Sequence, residues 1–145
     1  MIQIRVFSYD SPEYDQELLL RDEVLRRPLG MSLKNDNLEN DRVSIHIGAF
    51  DSEENQMIGV LLLTPLENGK IKMRQVAVRQ STQRQGVGRQ LVAFAEQYAS
   101  ENGFCEMLLH ARQVAMDFYC KFGYEALGDE FFEVNIPHYK MRKSL

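Results

Sequence analysis

The chain's most chemically suggestive stretch is Val76-Ala77-Val78-Arg79-Gln80-Ser81-Thr82-Gln83-Arg84-Gln85-Gly86-Val87-Gly88-Arg89. It joins a strand-like run to a helical pattern through a loop with glycines at alternate positions. A helix start leaves N–H groups unpaired and carries a partial positive charge, so it suits a pyrophosphate. Gly86 would let the backbone approach a phosphate closely, and Gly88 would let the helix begin without a crowding side chain. Arg79, Arg84 and Arg89 add planar guanidinium forks that pair with phosphate oxygens. On residue types alone, a tight turn that needs glycine is the alternative. A P-loop is excluded because no Lys-Ser or Lys-Thr follows Gly88, and a dinucleotide fingerprint because its third glycine is missing.

Other chemistries find less support. There is no GxSxG turn and no Ser/His/Asp order, which argues against a hydrolase. His46, His110 and His138 have no metal-ligand spacing. Cys105 and Cys120 are expected to be reduced, buried and apolar in role. Cys120 has no identifiable activating neighbour that would make it a nucleophile.

The elements that must position these residues follow from periodicity. Ile2 to Ser8 alternates as a strand, and Asp10-Ser11-Pro12 opens a helix from about Glu13 to Arg27, ended by Pro28 and Gly30. Residues 28–42 form a loop. Arg21 and Arg26, with Asp22 and Glu23, fall on the first helix and are expected on a solvated face. Ser44–Phe50, Met57–Thr64 and Lys70–Val78 are strands. Asn68-Gly69 between the last two signals an antiparallel hairpin. Gly88 to Glu101 is an amphipathic helix stopped by Asn102-Gly103. Phe104–Ala111 is a strand, Val114–Phe122 a helix, and short strands surround a loop at Asn135–His138. The order predicts a mixed α/β sheet with helices on its faces.

The 145 residues, 44% hydrophobic and 26% charged, suit one globular domain spanning 1–145. A net charge of −4 gives no general attraction to nucleic acid. No apolar run is long enough for a membrane span, and MIQIRVFSYD lacks the pattern of a signal peptide. A cytoplasmic address is expected.

Two segments carry a family resemblance. Gln83-Arg84-Gln85-Gly86-Val87-Gly88 is similar to the Gln/Arg-x-x-Gly-x-Gly/Ala signature of the GNAT N-acetyltransferases. Ala115-Met116-Asp117-Phe118-Tyr119-Cys120-Lys121-Phe122-Gly123-Tyr124 resembles that family's Ala-x-x-Phe-Tyr-x-x-x-Gly-Phe segment. With the element order, the likeness covers nearly the whole chain, most firmly residues 57–127. The stretch Glu133 to Met141, with Ile136-Pro137-His138, resembles a subgroup of small bacterial members whose substrates are mostly unassigned.

The resemblance implies a mostly antiparallel central sheet of six to seven strands, helices on both faces, and a splay between strands four and five. It implies a first helix, carrying Arg21 and Arg26 with Asp22 and Glu23, that borders the acceptor cleft, and acetyl-CoA as co-substrate. Its pyrophosphate would rest on the main chain of Gln83, Arg84, Gln85, Gly86, Val87, Gly88 and Arg89. Its pantetheine arm would lie along Val76, Ala77 and Val78 in the manner of an added strand. It implies direct attack of an amine, from a small molecule or a protein, on the thioester, with Tyr119 as general acid. By residue type alone Tyr119 would be a core tyrosine on the apolar face of its helix. Many members place a basic glutamate on the strand before the loop, but Lys70–Val78 has no acid. His138, Glu133 and His110 are the remaining candidates, with His138 first because imidazole titrates near neutrality. A catalytically inactive acyl-CoA-binding sensor is the alternative reading. Pairing as a homodimer is common in the family; neither a membrane nor a nucleic acid is an expected partner.

Overall fold

The computed structural model describes residues 1–145, the side chain of Asn35 excepted. One seven-stranded sheet has the order β1-β2-β3-β4-β5-β7-β6. Its strands are β1 (Ile2–Phe7), β2 (Ile45–Asp51), β3 (Gln56–Pro65), β4 (Lys70–Val78), β5 (Glu106–Arg112), β6 (Glu125–Glu133) and β7 (Ile136–Ser144). Every neighbouring pair is antiparallel except β4–β5, which is parallel. The helices are α1 (Pro12–Arg21), α2 (Val87–Glu101) and α3 (Met116–Lys121). This is the mixed sheet that the element order predicts, with the mostly antiparallel pairing that the resemblance implies.

Strand β3 shows why the sheet sits in the middle of the molecule. Val60 and Leu62 pack with Leu20 of α1, whereas Leu61 and Leu63 pack with Leu91 and Val92 of α2. A strand buried on both faces reads as a continuous apolar run rather than an alternating one. Gly59 is the close-approach point. A Cβ there would lie 2.8 Å from Leu91 and 2.9 Å from Val87, so only glycine lets the start of α2 seat directly on β3.

Two hairpins differ in how visible they are in the sequence. Asn68 and Gly69 both adopt positive φ, 60° and 74°, as the Asn-Gly signal requires. The second joins β6 to β7 through Val134 and Asn135, at φ 46° and 61°. The expected short strands around a loop at 135–138 are instead two nine-residue strands, and His138 lies within β7. Valine is no turn residue, and holding it left-handed costs about 1–2 kcal/mol, so the sequence does not advertise this turn.

The first helix also departs from expectation. α1 ends at Arg21 and widens into a π-helical turn over Asp22–Arg26 before Pro28. Arg21 and Arg26 are buried rather than on a solvated face. Arg21 donates to Glu17 and Asp41, each at 2.8 Å, and Arg26 forks onto Asp36 at 3.0 and 2.8 Å. Buried guanidinium groups persist where carboxylates meet them. Cys105 and Cys120 are both exposed rather than buried. Cys105 precedes β5, and Cys120 faces away from the core side of α3, where Tyr119 packs.

The feature that creates a site is the opening of the sheet. β4 and β5 pair only from Lys70–Met73 against Glu106–Leu109. Beyond Met73 the strands part. On its other edge β4 bulges: Arg74 opposes Leu62 and Ala77 opposes Val60, so Gln75 and Val76 together face Leu61. Gln75 takes φ 54°, a left-handed conformation that suits a bulge and re-aims the strand.

Candidate functional site

The parting strands leave a cleft of about 280 Å³. Gln75, Val76 and Arg74 of β4 form one wall, and Ala111, Arg112 and His110 of β5 the other. Tyr119 closes it from α3, and Glu133 and His138 from the β6–β7 hairpin. Thus Tyr119, His138, Glu133 and Val76, singled out in the sequence, all line one cavity. Ala77 points instead into the core under α1.

Tyr119 is 7% exposed and packs edge-on against Phe118 and Tyr124. Its hydroxyl has no hydrogen-bond partner among the described residues. Burial pushes its pKa up to about 12, so at neutral pH the phenol keeps its proton and can donate it in a hydrogen bond. Packing and access to the cleft coexist in this residue.

His138, His110 and Glu133 form a cluster. His138 Nδ1 lies 2.8 Å from the carbonyl oxygen of Ile136. A carbonyl only accepts, so Nδ1 carries the proton, and in the neutral ring the lone pair sits on Nε2. That Nε2 is 3.7 Å from Glu133 Oε2, while Glu133 Oε1 is 3.2 Å from His110 Nδ1. Burial lowers the His110 pKa, aided by repulsion from Lys72 and opposed by Glu133. Phe131 stands against both rings. All three base candidates therefore meet around one carboxylate, two contributed by the hairpin and one by β5.

The glycine loop follows β4 directly. A 3₁₀ turn at Gln80–Thr82 leads to Arg84 and Gly86, at φ 74° and 81°. The loop is braced from within: Gln83 Nε2 donates to the Val78 carbonyl at 3.0 Å and Thr82 Oγ1 to that of Arg79 at 2.9 Å. The first bond of α2 is Gln90 N–H to Gly86 O at 3.0 Å, which leaves the N–H groups of Val87, Gly88 and Arg89 without intrahelical partners. No atom lies within 4 Å of where a Gly86 Cβ would be. At Gly88 a Cβ would make ordinary contacts of 3.7 Å with Phe118 and Val78, so crowding does not require glycine there. Arg84 and Arg89 are exposed. Arg79 is turned away from the loop, donating to the Met57 carbonyl at 3.2 Å with Glu23 3.7 Å distant.

Arg26 of the first helix lines the cleft, but sequence reasoning missed the basic side chains that the strands contribute. Lys72 and Arg74 occupy alternate positions of β4, opposite in facing to the buried Ile71 and Met73, and Arg112 ends β5. The period-two pattern Ile-Lys-Met-Arg was the available signal, since it puts two cations on one face.

An opened sheet with a bare helix start at its mouth is the acyltransferase architecture that the motifs imply. The chain belongs to the GNAT acetyltransferase family, whose acetyltransferase (GNAT) domain matches residues 33–145. It is 33% identical over 109 residues to the uncharacterized N-acetyltransferase YjcF of Bacillus subtilis strain 168, covering 74% of each chain. Its fold is similar to that of Escherichia coli ElaA, with a TM-score of 0.86 at 17% identity over 99% of both chains. An aminoglycoside 6'-N-acetyltransferase solved with coenzyme A shares the fold with a TM-score of 0.77, at 18% identity over 98% of this chain and 96% of that one. No helix is long and apolar enough to cross a membrane.

Proposed function

We propose that this protein transfers an acetyl group from acetyl-CoA to the amine of a small molecule or an exposed protein amine, in the cytoplasm, by direct attack within the cleft. The observation that carries the reading is the partnerless Tyr119 phenol in the gap between β4 and β5. The residues present fit the co-substrate. Val87, Gly88 and Arg89 offer free N–H groups, Gly86 leaves open space, and Arg84 and Arg89 are exposed beside them. The main chain of Val76 and Val78, on the edge of β4 that β5 has left, suits an extended arm laid along it.

Acetyl-CoA would supply an activated thioester. An alkylamine is mostly protonated near neutral pH, as lysine's reference pKa of about 10.4 illustrates, so a proton must leave first. His138 Nε2 is the group oriented to take it, with Glu133 beside it to favour the imidazolium that forms. Tyr119 serves the departing sulfur. A phenol at about 12 is a weaker acid than a thiol at about 8.5. It therefore acts chiefly as a hydrogen-bond donor to developing negative charge, rather than by complete proton transfer.

The second reading, an acyl-CoA-binding sensor without turnover, is favoured by the absence of any acid on β4. Free-thiol release from acetyl-CoA across an amine panel separates the two. Turnover is expected, and Tyr119→Phe should lower kcat by about 10²–10³ with little change in acetyl-CoA affinity. Binding without thiol release from any amine supports the sensor, and equal rates in both proteins would leave Tyr119 as packing alone.

A further inference from the structure

The cleft holds more positive charge than its own acids neutralise. Arg26 is matched by Asp36 through a two-pronged pair at 3.0 and 2.8 Å. Glu133, the one carboxylate among the residues lining the cavity, lies beside His110 and His138 and also attracts Lys72 and Arg112, so a single negative charge stands against several cations. Among the described residues, Lys72, Arg74 and Arg112 have no carboxylate partner. Arg74 donates only to Thr64 Oγ1 at 3.3 Å, and Arg112 only to the Leu25 carbonyl at 3.5 Å. All three are partly buried and line the same cavity.

Partly desolvated cations that outnumber the carboxylates near them are unfavourable in the empty cleft and become favourable when an anion enters. Charged neighbours act on two of the three. Burial holds the Lys72 ammonium below its usual pKa, with Glu133 opposing and Arg74 and Lys140 adding to the effect. Burial acts likewise on Arg112, reinforced by Arg26 and opposed by Glu133. An arginine cannot escape by losing its proton. The excess charge therefore stays in the cleft, and like-charge juxtaposition disfavours a polycation there.

We infer that the acceptor is an anionic amine, one carrying a carboxylate or phosphate, and that Lys72, Arg74 and Arg112 form the clamp that holds its oxyanion. This rests on the acetyltransferase reading of the cleft. With Arg112 on β5 and Lys72 and Arg74 on β4, the oxyanion would bridge the parted strands and leave the amine free to reach His138. Arginine favours a planar or tetrahedral oxyanion through its paired donors, and lysine adds a point charge. A polyamine or a polycationic sugar would meet repulsion instead.

The test is equilibrium binding to the full chain, with and without saturating CoA, of probes matched except for the anion. An ω-amino acid would be compared with its carboxamide, 2-aminoethyl phosphate with ethanolamine, and spermidine would serve as the polycation. At least one anionic probe should bind about tenfold or more tightly than its neutral partner. The preference should fall with added salt, and it should be lost in Lys72→Met and Arg112→Gln. The pair that shows the larger preference distinguishes a carboxylate from a phosphate. Equal binding within both pairs, absence of binding included, or tighter binding of spermidine would overturn the clamp. CoA binding, read separately by thermal shift, reports on the acetyltransferase reading. A preference for anions without any CoA shift would sink that reading and leave the clamp standing.

Discussion

At the scale of single residues, His138 is the side chain whose role is best separated by substitution. One ring nitrogen is committed to the Ile136 carbonyl at 2.8 Å, and the other faces Glu133 across 3.7 Å. A contact that merely fixes the hairpin and a base that takes a proton use opposite edges of the same ring. His138→Asn keeps an N–H donor near the position of Nδ1 and removes Nε2. If His138 is the base, kcat/KM should fall by about 10²–10⁴. The melting temperature should change little, because the donor to Ile136 survives. A variant that keeps its rate would make His138 a hairpin contact and move the search to His110 or Glu133. Tyr119 needs no such separation, since its hydroxyl has no structural bond to lose.

At the scale of elements, the sequence disclosed helices and strands better than the polar contacts that lock them together. His46 of β2 is buried and bonded at both nitrogens: Nδ1 lies 2.6 Å from Glu17 Oε1 on α1, and Nε2 lies 2.8 Å from the Asp41 carbonyl. Tyr14 donates to Asp41 at 2.7 Å, and Arg21 bonds both acids. Burial alone would lower the His46 pKa, but Glu17 and then Asp41 outweigh it and the pKa is raised. A folded-state value above the unfolded value of about 6.5 gives stability that is complete below that pH and lost as pH rises through the folded value. The wild type should therefore unfold at lower temperature at pH 9 than at pH 6, and His46→Gln should flatten this difference although it is less stable throughout. An unchanged slope would mean that His46 is not the charged partner in this cluster. The cluster was partly legible: Glu17 and Arg21 have the i, i+4 spacing of a helical ion pair. Its burial was not, because Asp41 and His46 reach it from a loop and a strand that no local pattern connects to α1. The Asn68-Gly69 hairpin was legible because its turn residues match its backbone. The Val134-Asn135 hairpin was not, and with it went the placement of His138 in a strand. The glycine loop and the acid-free β4 could be read directly and Tyr119 only through the family resemblance, whereas Lys72, Arg74 and Arg112 acquire meaning only once β4 and β5 part.

At the scale of the whole molecule, the two ends of the proposed site depend on one geometric decision, the end of β4–β5 pairing at Met73 and Leu109. Past that point the sheet is held together by β3 on one side and β7 on the other, so the gap stays open without a loop to prop it. Gly59 brings α2 down onto β3, and the bare N–H groups at the start of α2 are thereby fixed beside the mouth of the gap. A ligand that spans loop and gap would tie α2, β4 and β5 together and should stabilise the entire fold. At about 100 times its Kd such a ligand contributes about 2.7 kcal/mol, roughly 5–10 °C in a chain of this size. Acetyl-CoA and CoA should produce that shift, and ATP and NAD should not. Gly86→Glu tests the loop end. Its side chain has open space, so the fold should survive, but at φ 81° the backbone strain of a non-glycine residue costs about 1–2 kcal/mol. The unliganded variant should therefore melt a few degrees lower, and its carboxylate should abolish the shift with either CoA form. Gly86→Ala carries the same strain without the charge and should keep most of the shift. A full shift in Gly86→Glu would remove the loop from cofactor binding, and no shift in the wild type at millimolar CoA would reduce Gly86 to the residue that lets a tight turn enter α2.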